Sequence, residues 1–577
     1  MRSRREEKRA ISGRENLPIR GPKSPQNQVF ANANLIEATT GLRRTASLLI
    51  EGTRIARVGT YEEVTRSIGT ANHVDLDGRT VLPGINDAHV HLALAGAVMP
   101  PLAADLDVPS ITQLQERLAQ QARREGSGHW VKGFGFSAGL LEEGRLPSRR
   151  ELDQAVPDRP AIALDNTGHL LVANSEAVAE GLLRTHAIEG AERPKFGESA
   201  HTSGVFKDGE QTFILRAMPP LSRLERKTAL RSAIEQLHRE GVTSVTDGAL
   251  GPGGRDLFFG TWDETTLIAL SEIMREGDHP MRVGCLLLFG SMGEVEPEDF
   301  VADAQREDWY ELESRWFKIA GAKLFADGVL AARTACVNRP YIHGGRGRLT
   351  TAGATNADRR AGLEAIVGFA ESSGWRLGIH VTGDRAIDYL LEAVRAARRR
   401  ASHSSPAPPR HYLLHGPAIR PNQIEQLRDA GMGICVQPAM HTSVNATLET
   451  VIGQQQAQEL WPFASLQRAG VPMSFSSDMP MTSPNWRQGI MAAVTRRRPD
   501  GVVAGQRERI SGLEALHAYT VAGAWQDYEE HAKGALVPGM SADFCVLDGS
   551  ISEVASMDWS ALGVSRTYVG GVLVFDR

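Results

Sequence analysis

The sequence predicts an α/β protein, with a βα barrel in the middle of the chain and one small β domain built from both chain ends. Three observations support this. Amphipathic helical patterns alternate with short, glycine-bounded apolar runs in the middle. Both ends carry β-branched runs broken by Gly and Asn. Polar residues follow several of the apolar runs, at the strand ends where barrel active sites lie.

The two chain ends have a similar β texture. Near the start the chain reads "QVFANANLIEA", "TASLLIEGTRIARVGT" and "HVDLDGRTVLPG", and near the end it reads "GALVPGMSADFCVLDG" and "SRTYVGGVLVFDR". These short runs with turn residues between them are typical of strands. We therefore assign residues 27–84 and 535–577 to one β domain.

Residues 85–534 carry the barrel pattern. The helical stretch "LSRLERKTALRSAIEQLHREG" precedes the apolar run "VTSVTDG", and "RAGLEAIVGFAESSG" precedes "WRLGIHVTGD". The region around 100–240 is too long for one βα unit, so we expect an insertion there, over the barrel mouth. Residues 1–26 are Arg-rich without the apolar segment of a secretory signal, and we expect a disordered leader.

Composition excludes several function classes. The chain has 577 residues, 41% of them hydrophobic, and a net charge of -5, so no basic bias suggests nucleic acid or an anionic membrane as a partner. No apolar run approaches the length of a membrane span. The four cysteines are far apart and form no CxxC, which favours a reducing, cytoplasmic location. The predicted partner is a small-molecule substrate, and a homodimer is left open.

Two histidines follow an apolar run in "VLPGINDAHVHLALAG", residues 81–96. Residues i and i+2 of a strand face the same side, so His89 and His91 could bind one metal ion from the end of a strand. The pair alone is a weak signal, because two packed or solvated histidines would give the same pattern. It becomes informative only together with similar residues elsewhere.

Three further apolar runs end in residues of the same kind. The apolar run within "WRLGIHVTGD" ends at His380. The run within "HYLLHGP" ends at His415, and the run within "VPMSFSSDMP" leads to Asp478. Imidazole and carboxylate suit zinc and similar divalent ions. Each residue singly is compatible with a structural role. Their shared position at strand ends in a barrel pattern favours a metal centre.

A lysine lies inside another apolar run, "FKIAGAKLFADG". Lys323 could extend its amine to solvent from a strand end, which is common. Alternatively, a buried lysine with a lowered pKa can react with carbon dioxide to form a carbamate. The carbamate is an anionic oxygen ligand that can bridge two metal ions.

The order HxH, Lys, His, His, Asp resembles the amidohydrolase superfamily, and more closely its YtcJ-like branch, which includes N-substituted formamide deformylases. The resemblance extends from about residue 28 to residue 577. It rests on the stretches "LPGINDAHVHL", "GHLLVANSEAV", "GAKLFADGVLAARTA", "IHVTGDRAID", "CVQPAMH", "SSDMP" and "KGALVPGMSADFCVLD".

The resemblance implies a composite β-sandwich from both chain ends and a distorted TIM barrel, a (β/α)8 barrel that binds metal. It implies one or two divalent ions, with zinc as the expected metal and Lys323 as an N6-carboxylated lysine. The implied metal ligands are His89, His91, Lys323, His380, His415 and Asp478.

The chain departs from the family pattern at three places. It reads "HYLLHGP" where Arg-Ile-Glu-His-Ala is more usual, although His415 is kept. In "QPAMH" the histidine comes later than usual, at His441, which weakens the case for His441 as a pocket residue. In "TSGVFKDGE" Asp208 stands where a Glu is usual.

The resemblance also implies an activity: metal-dependent hydrolysis of a non-peptide C–N bond in a formamide, N-acyl amine or carbamate. We expect Asp478 to accept a proton from the attacking water and to pass it to the departing nitrogen. His169 in "DNTGHLL" and Arg333 in "LAARTA" are candidates for holding the oxyanion. A backbone-capping histidine and a structural ion pair are the respective alternatives.

Two other functions stay open at this point. A related barrel enzyme could catalyse deamination, ester hydrolysis or decarboxylation in a biosynthetic pathway. An inactive binding protein on the same scaffold is the other alternative, but the intact ligand set argues against it. Metal analysis separates the inactive protein from the enzymes, and the products released from a small substrate panel separate the chemistries.

Overall fold

The computed structural model describes residues 27–37, 43–126, 128–166, 168, 170–187, 203–255, 257–290, 294–400, 408–549, 551 and 558–577. The expected leader, residues 1–26, lies outside these ranges. The chain divides into two compact units. The barrel unit comprises the chain up to Val90, Glu235–Gly253 and Ser271–Arg577, and the insertion unit comprises His91–Ile234 and Gly254–Leu270.

Both ends of the chain contribute to one eight-stranded sheet in the barrel unit. Strands are numbered β1 to β21 along the chain. The sheet runs in the order β21-β20-β19-β5-β1-β2-β3, with β4 beside β1. Its strands are β1 Gln28–Ile36, β2 Arg43–Glu51, β3 Arg54–Gly59, β4 Asn72–Asp75, β5 Thr80–Pro83, β19 Phe544–Leu547, β20 Val564–Val569 and β21 Val572–Asp576.

The two chain ends meet where β5 pairs with β19, with Leu82 opposite Cys545. The apolar core of the sheet domain also draws on both ends. The Phe30 ring packs edge-on against Phe544, with centroids 5.0 Å apart, and Phe544 stacks on Tyr568 at 4.6 Å. The helix Tyr61–Thr65 lies next to β2 and β3 and contributes Val64 to a second apolar cluster.

The second sheet of this unit is an eight-stranded parallel barrel. Its order is β6-β12-β13-β14-β15-β16-β17-β18. The ladder nearly closes, since the backbone N–H of Asp478 donates to the carbonyl of His89 at 2.9 Å. The strands are β6 Ile85–Val90, β12 Val242–Leu250, β13 Arg282–Leu288, β14 Phe317–Phe325, β15 Leu377–Val381, β16 Tyr412–His415, β17 Gly433–Val436 and β18 Met473–Phe475. The predicted fold class, a distorted TIM barrel with an additional β domain, is confirmed.

Helices follow the barrel strands in the expected alternation. The helix Asn356–Ser373 shows the local causes: Thr355 and Asp358 form a capping box, and Gly374 ends the helix with φ 78°. The helices within the barrel unit are Pro297–Ala304, Asn356–Ser373, Asp384–Arg400, Pro421–Asp429, Pro438–Ile452, Gln454–Glu459, Phe463–Arg468, Trp486–Thr495, Gly512–Ala518 and Val521–Gln526. Arg223–Arg239 and Glu264–Glu276 each contain a boundary between the units.

Polar residues at and after the end of the helix Val521–Gln526 contact the barrel strands β6 and β12. The Asp527 carboxylate accepts hydrogen bonds from Thr246 Oγ1 at 2.8 Å and from Lys533 Nζ at 2.6 Å. The side-chain amide of Gln526 donates to the carbonyl of Ala88 at 2.7 Å. In this fold the active site usually forms at the carboxyl ends of the strands.

The insertion unit has its own sheet and core. Its sheet has the order β11-β10-β9-β8-β7, with β7, β8 and β9 parallel and the remaining pairs antiparallel. The strands are β7 Ala104–Asp105, β8 Val131–Phe136, β9 Ala161–Asp165, β10 Leu170–Ala173 and β11 Val205–Lys207. The helices are Leu92–Ala97, Ile111–Glu125, Arg149–Ala155, Ser175–Ala187 and Thr212–Leu215. The insertion expected around residues 100–240 overlaps this unit in sequence. Its bounds and its expected position over the barrel mouth stay predictions.

Six short 3-10 helices complete the described structure: Asp208–Gln211, Pro252–Gly254, Phe258–Gly260, Asp308–Leu312, Gln506–Glu508 and Trp559–Ala561. Within the described ranges, no helix combines the length and the apolar character that crossing a membrane requires.

Candidate active site

The residues predicted as metal ligands lie at the carboxyl ends of the barrel strands. His89 and His380 are the last but one residues of β6 and β15, and His415 is the last residue of β16. Lys323 lies two residues before the end of β14, and Asp478 three residues after β18. His91 directly follows Val90, with which β6 ends. This is the end of a barrel at which active sites form.

Three of these residues form one cluster. His89, His91 and Asp478 each offer one ligand atom, and these atoms all lie within 4.8 Å of one another. All three residues are buried. His89 Nε2 lies 3.4 Å from Asp478 Oδ1. Two imidazoles and a carboxylate at this spacing can hold a divalent ion such as zinc.

The other two histidines lie beside this cluster. The rings of His380 and His415 are 4.7 Å apart between centroids, and the His415 ring is 5.5 Å from that of His89. The Phe325 ring lies 5.2 Å from His380. The imidazoles of three strands therefore converge around His415.

Lys323 is buried rather than extended to solvent. Its residue exposure is 1%, and Nζ lies 4.8 Å from the centroid of the Phe325 ring. Burial lowers the pKa of Lys323 to about 8, although the negative charge of Asp478 acts in the opposite direction. The amine is therefore buried, beside the Phe325 ring and within reach of the charge of Asp478.

Hydrogen bonds show which ring nitrogen carries the proton and which carries the lone pair in two of the imidazoles. His380 Nε2 lies 3.2 Å from the carbonyl oxygen of Gly328. A carbonyl only accepts, so Nε2 carries the proton and Nδ1 carries the lone pair. His415 Nδ1 lies 2.7 Å from Oε1 of Gln437, which assigns the lone pair to Nε2.

Two predicted ligands have left-handed backbone conformations. The φ angle is 73° at His415 and 57° at Asp478. His and Asp adopt this region more readily than most residues, but it still costs on the order of 1 kcal/mol. Such strain concentrates at functional sites, where it sets the direction of a side chain.

Gly248 on β12 makes room for His89. A Cβ atom at this position would lie 2.1 Å from Cε1 of the His89 ring. Only glycine permits this close approach. Gly248 on β12 therefore allows the His89 ring on the neighbouring strand β6 to take its position.

Asp87 is a structural carboxylate that sequence reasoning missed. It accepts hydrogen bonds from the backbone N–H of Ser477 at 2.8 Å and from Ser477 Oγ at 2.5 Å. This ties β6 to the residue before Asp478. Burial raises the pKa of Asp87 to about 7. The signal in the sequence was a carboxylate inside an apolar strand, "GINDAHV".

Asp327 organises the loop after His380 and was also missed. Its carboxylate accepts three backbone N–H groups, from Thr382 and Gly383 at 2.9 Å and from Cys336 at 2.8 Å. Burial raises its pKa to about 7. One carboxylate therefore links β14 with the segment that follows the ligand-bearing strand β15.

Replacing Asp327 with alanine should destabilise the protein by on the order of 3 kcal/mol or more, because three buried N–H groups lose their acceptor. Urea unfolding measures the change. Asp308→Ala is the control, since this carboxylate is 57% exposed in an ion pair with Arg306, and the expected change is about 1 kcal/mol or less. Equal changes in the two variants would contradict the role given to Asp327.

Three further residues were singled out from the sequence: His169, Asp208 and Arg333. His169 lies outside the described residues, as does the side chain of Asp208. Arg333 lies in a turn after β14 with an exposed side chain and a φ of 59°. The oxyanion roles of His169 and Arg333 stay predictions.

His441 belongs to a buried structural contact. It is fully buried, and its Nε2 accepts a hydrogen bond from Arg496 Nη2 at 2.8 Å. Burial and the charges of Arg496 and Arg498 lower the pKa of His441 to about 2. The imidazole is therefore neutral and holds Arg496 in place.

Together the barrel, the strand-end imidazoles, the buried lysine and Asp478 define a metal-dependent hydrolase. A family model for the amidohydrolase family matches residues 72–575. The chain belongs to the amidohydrolase family, and it is an enzyme that acts on carbon–nitrogen bonds other than peptide bonds.

Relatives over the whole length agree with this assignment. The chain is 27% identical over 566 residues to the N-substituted formamide deformylase of Arthrobacter pascens, covering 95% of this chain and 98% of the relative. It is 25% identical over 548 residues to YtcJ of Bacillus subtilis (strain 168), which is named as an amidohydrolase, covering 92% and 96%. The predicted resemblance to the YtcJ-like branch is confirmed.

A solved structure shows the same fold. It is an uncharacterized metal-dependent hydrolase from Pyrococcus furiosus, with a TM-score of 0.70 and 25% identity. The match covers 91% of this chain and 99% of that protein. The match therefore extends over most of both chains.

Proposed function

We propose that this enzyme hydrolyses the C–N bond of a small N-substituted formamide, N-acyl amine or carbamate with the help of bound zinc. The observation that carries the proposal is the buried cluster of His89, His91 and Asp478 at the carboxyl end of the barrel. The full-length similarity to an N-substituted formamide deformylase supports the substrate class.

The donor set fits one or two divalent ions. His89, His91 and Asp478 would hold one ion, and the Nδ1 of His380 and the Nε2 of His415 would serve a second. Lys323, carboxylated on Nζ, would add anionic oxygen ligands beside them. When bound, zinc would polarise the substrate carbonyl and lower the pKa of a coordinated water to about 7.

Asp478 is proposed to move the protons of the reaction. Its carboxylate is buried beside His89 and is held by the left-handed backbone at this residue. From there it would accept a proton from the attacking water and deliver it to the departing nitrogen. His169 or Arg333 would stabilise the oxyanion.

The cysteines support the proposed cytoplasmic location. All four, Cys285, Cys336, Cys435 and Cys545, are free and buried. A reducing compartment maintains thiols in this state.

Removing the metal should abolish activity. The purified protein is expected to contain one or two divalent ions per chain, and a chelator should remove both metal and turnover. Adding zinc back should restore them. Elemental analysis and a hydrolysis assay on the same samples measure both quantities, and full activity without metal would contradict the proposal.

A substrate panel tests the chemistry. N-substituted formamides should release formate and an amine, N-acyl amines a carboxylate and an amine, and carbamate esters an amine, carbon dioxide and an alcohol. Ammonia release from an amino-substituted ring without cleavage of these compounds would instead identify a deaminase.

A further inference from the structure

Gln437 lies between the strand β17 and the helix Pro438–Ile452 and is fully buried. The following proline restricts it to extended backbone, with φ −117° and ψ 94°. It is the N-cap residue of the helix, a position that favours Ser, Thr, Asp or Asn. Its side chain makes no capping hydrogen bond. The side chain is directed to His415 instead.

The surroundings of the side chain fix the orientation of its amide. The Gln437 Nε2 lies 2.8 Å from Ser476 Oγ and 3.5 Å from the carbonyl oxygen of Cys435. A carbonyl only accepts, so the NH2 group must face it. Oε1 then faces His415 Nδ1, at 2.7 Å.

This orientation determines the state of the imidazole. Because Oε1 only accepts, His415 Nδ1 carries the proton and Nε2 carries the lone pair. Ser476 Oγ also accepts a hydrogen bond from Cys435 Sγ at 3.3 Å. The Gln437 amide is therefore part of a buried hydrogen-bond network with Ser476 and Cys435. The His415 ring is the one that contacts both His89 and His380.

We propose that Gln437 is a positioning residue that holds His415 in the Nδ1–H tautomer and thereby presents Nε2 to zinc. This inference rests on the proposed function, because it concerns the same metal site. Hydrogen bonds to the far nitrogen of a ligating histidine fix its tautomer and ring orientation and raise its affinity for metal. Gln437 does this as a neutral group, without adding charge.

Zinc affinity measured by competition with a chromophoric chelator tests the proposal without an activity assay. Gln437→Met keeps the length of the side chain and removes the acceptor. It should weaken binding of the zinc ion that His415 would hold about 10- to 100-fold. Gln437→Glu restores an acceptor oxygen toward Nδ1, and Ser476 Oγ can rotate to donate to the other carboxylate oxygen. It should bind zinc about as tightly as the wild-type protein.

Asn445→Leu is the matched control. Asn445 is a fully buried amide on the same helix, and its Nδ2 donates to the carbonyl of Ala457 at 2.9 Å. It also accepts from Arg498. The substitution removes a comparable buried amide away from the ligands, so thermal stability should fall while zinc affinity stays at the wild-type value.

Three outcomes separate the alternatives. Wild-type zinc affinity in Gln437→Met would overturn the inference and leave the proposed function intact. Equally weak binding in Gln437→Glu and Gln437→Met would also overturn it, because packing rather than an acceptor would then be needed. Absence of zinc binding in the wild-type protein would overturn the inference and the proposed function together. If Gln437→Met does not fold, the zinc affinity of Gln437→Glu serves as the test. A tenfold loss of affinity in that variant would contradict the inference.

Discussion

Replacing Lys323 with alanine is expected to remove most of the bound metal and nearly all of the turnover. Lys323 is 1% exposed and lies in β14, which pairs with the strand β15 that carries the proposed ligand His380. The proposed carbamate would be an anionic ligand there, and alanine offers no donor atom. Metal content and kcat/KM of the purified variant measure the effect.

Adding short carboxylic acids to Lys323→Ala tests whether a carbamate is the missing ligand. Formate or acetate can occupy the space that the lost side chain leaves and can supply carboxylate oxygens in place of the carbamate. Partial recovery of metal and activity with these acids would support the proposed modification. Lys132→Ala is the control, because Lys132 is also buried and burial lowers its pKa. It should keep its metal. Wild-type metal content and turnover in Lys323→Ala would leave Lys323 only a structural role.

Asp478→Asn is expected to keep fold and metal but to lower kcat by about 10² or more, the usual contribution of a general acid–base group. Asparagine has the same size, keeps one oxygen and tolerates the left-handed backbone at φ 57°. It lacks the basicity that proton transfer requires. The acidic limb of the kcat/KM pH profile should disappear or move with the substitution.

The alternative for Asp478 is a purely structural carboxylate. Asp77 provides the control, because it has a similar φ of 52° but is exposed in the β domain. Asp77→Asn should change neither the turnover nor the pH profile. If Asp478→Asn also left turnover and pH profile unchanged, another residue would have to be the general base, with His169 as the first candidate.

The ligand positions could be predicted from the sequence because they depend on local rules. The two-residue period of a strand places His89 and His91 together, and parallel strands of a barrel bring their carboxyl ends to one side. His380, His415 and Asp478 follow from the same rule. The structure places these residues as the strand-end argument requires, and their roles in binding metal stay proposals.

The supporting residues could not be predicted in this way. Asp327, Asp87 and Gln437 act on backbone N–H groups or on an imidazole of a neighbouring strand, and such contacts depend on loop paths and register. Nothing in "FADG" or "QPAM" specifies which group each side chain reaches. The insertion unit likewise includes Gly254–Leu270, which returns after β12 and therefore could not be assigned from a continuous segment.

A crystal structure with anomalous scattering recorded at the zinc edge would show directly whether the barrel holds metal at these residues. The proposed function predicts an ion at about 2.0–2.2 Å from imidazole nitrogens of His89 and His91, with Asp478 beside it. A second ion, where present, should lie at His380 and His415, with a carboxylated Lys323 between the two. Crystals of active enzyme with no anomalous peak at these residues would contradict the proposed metal site.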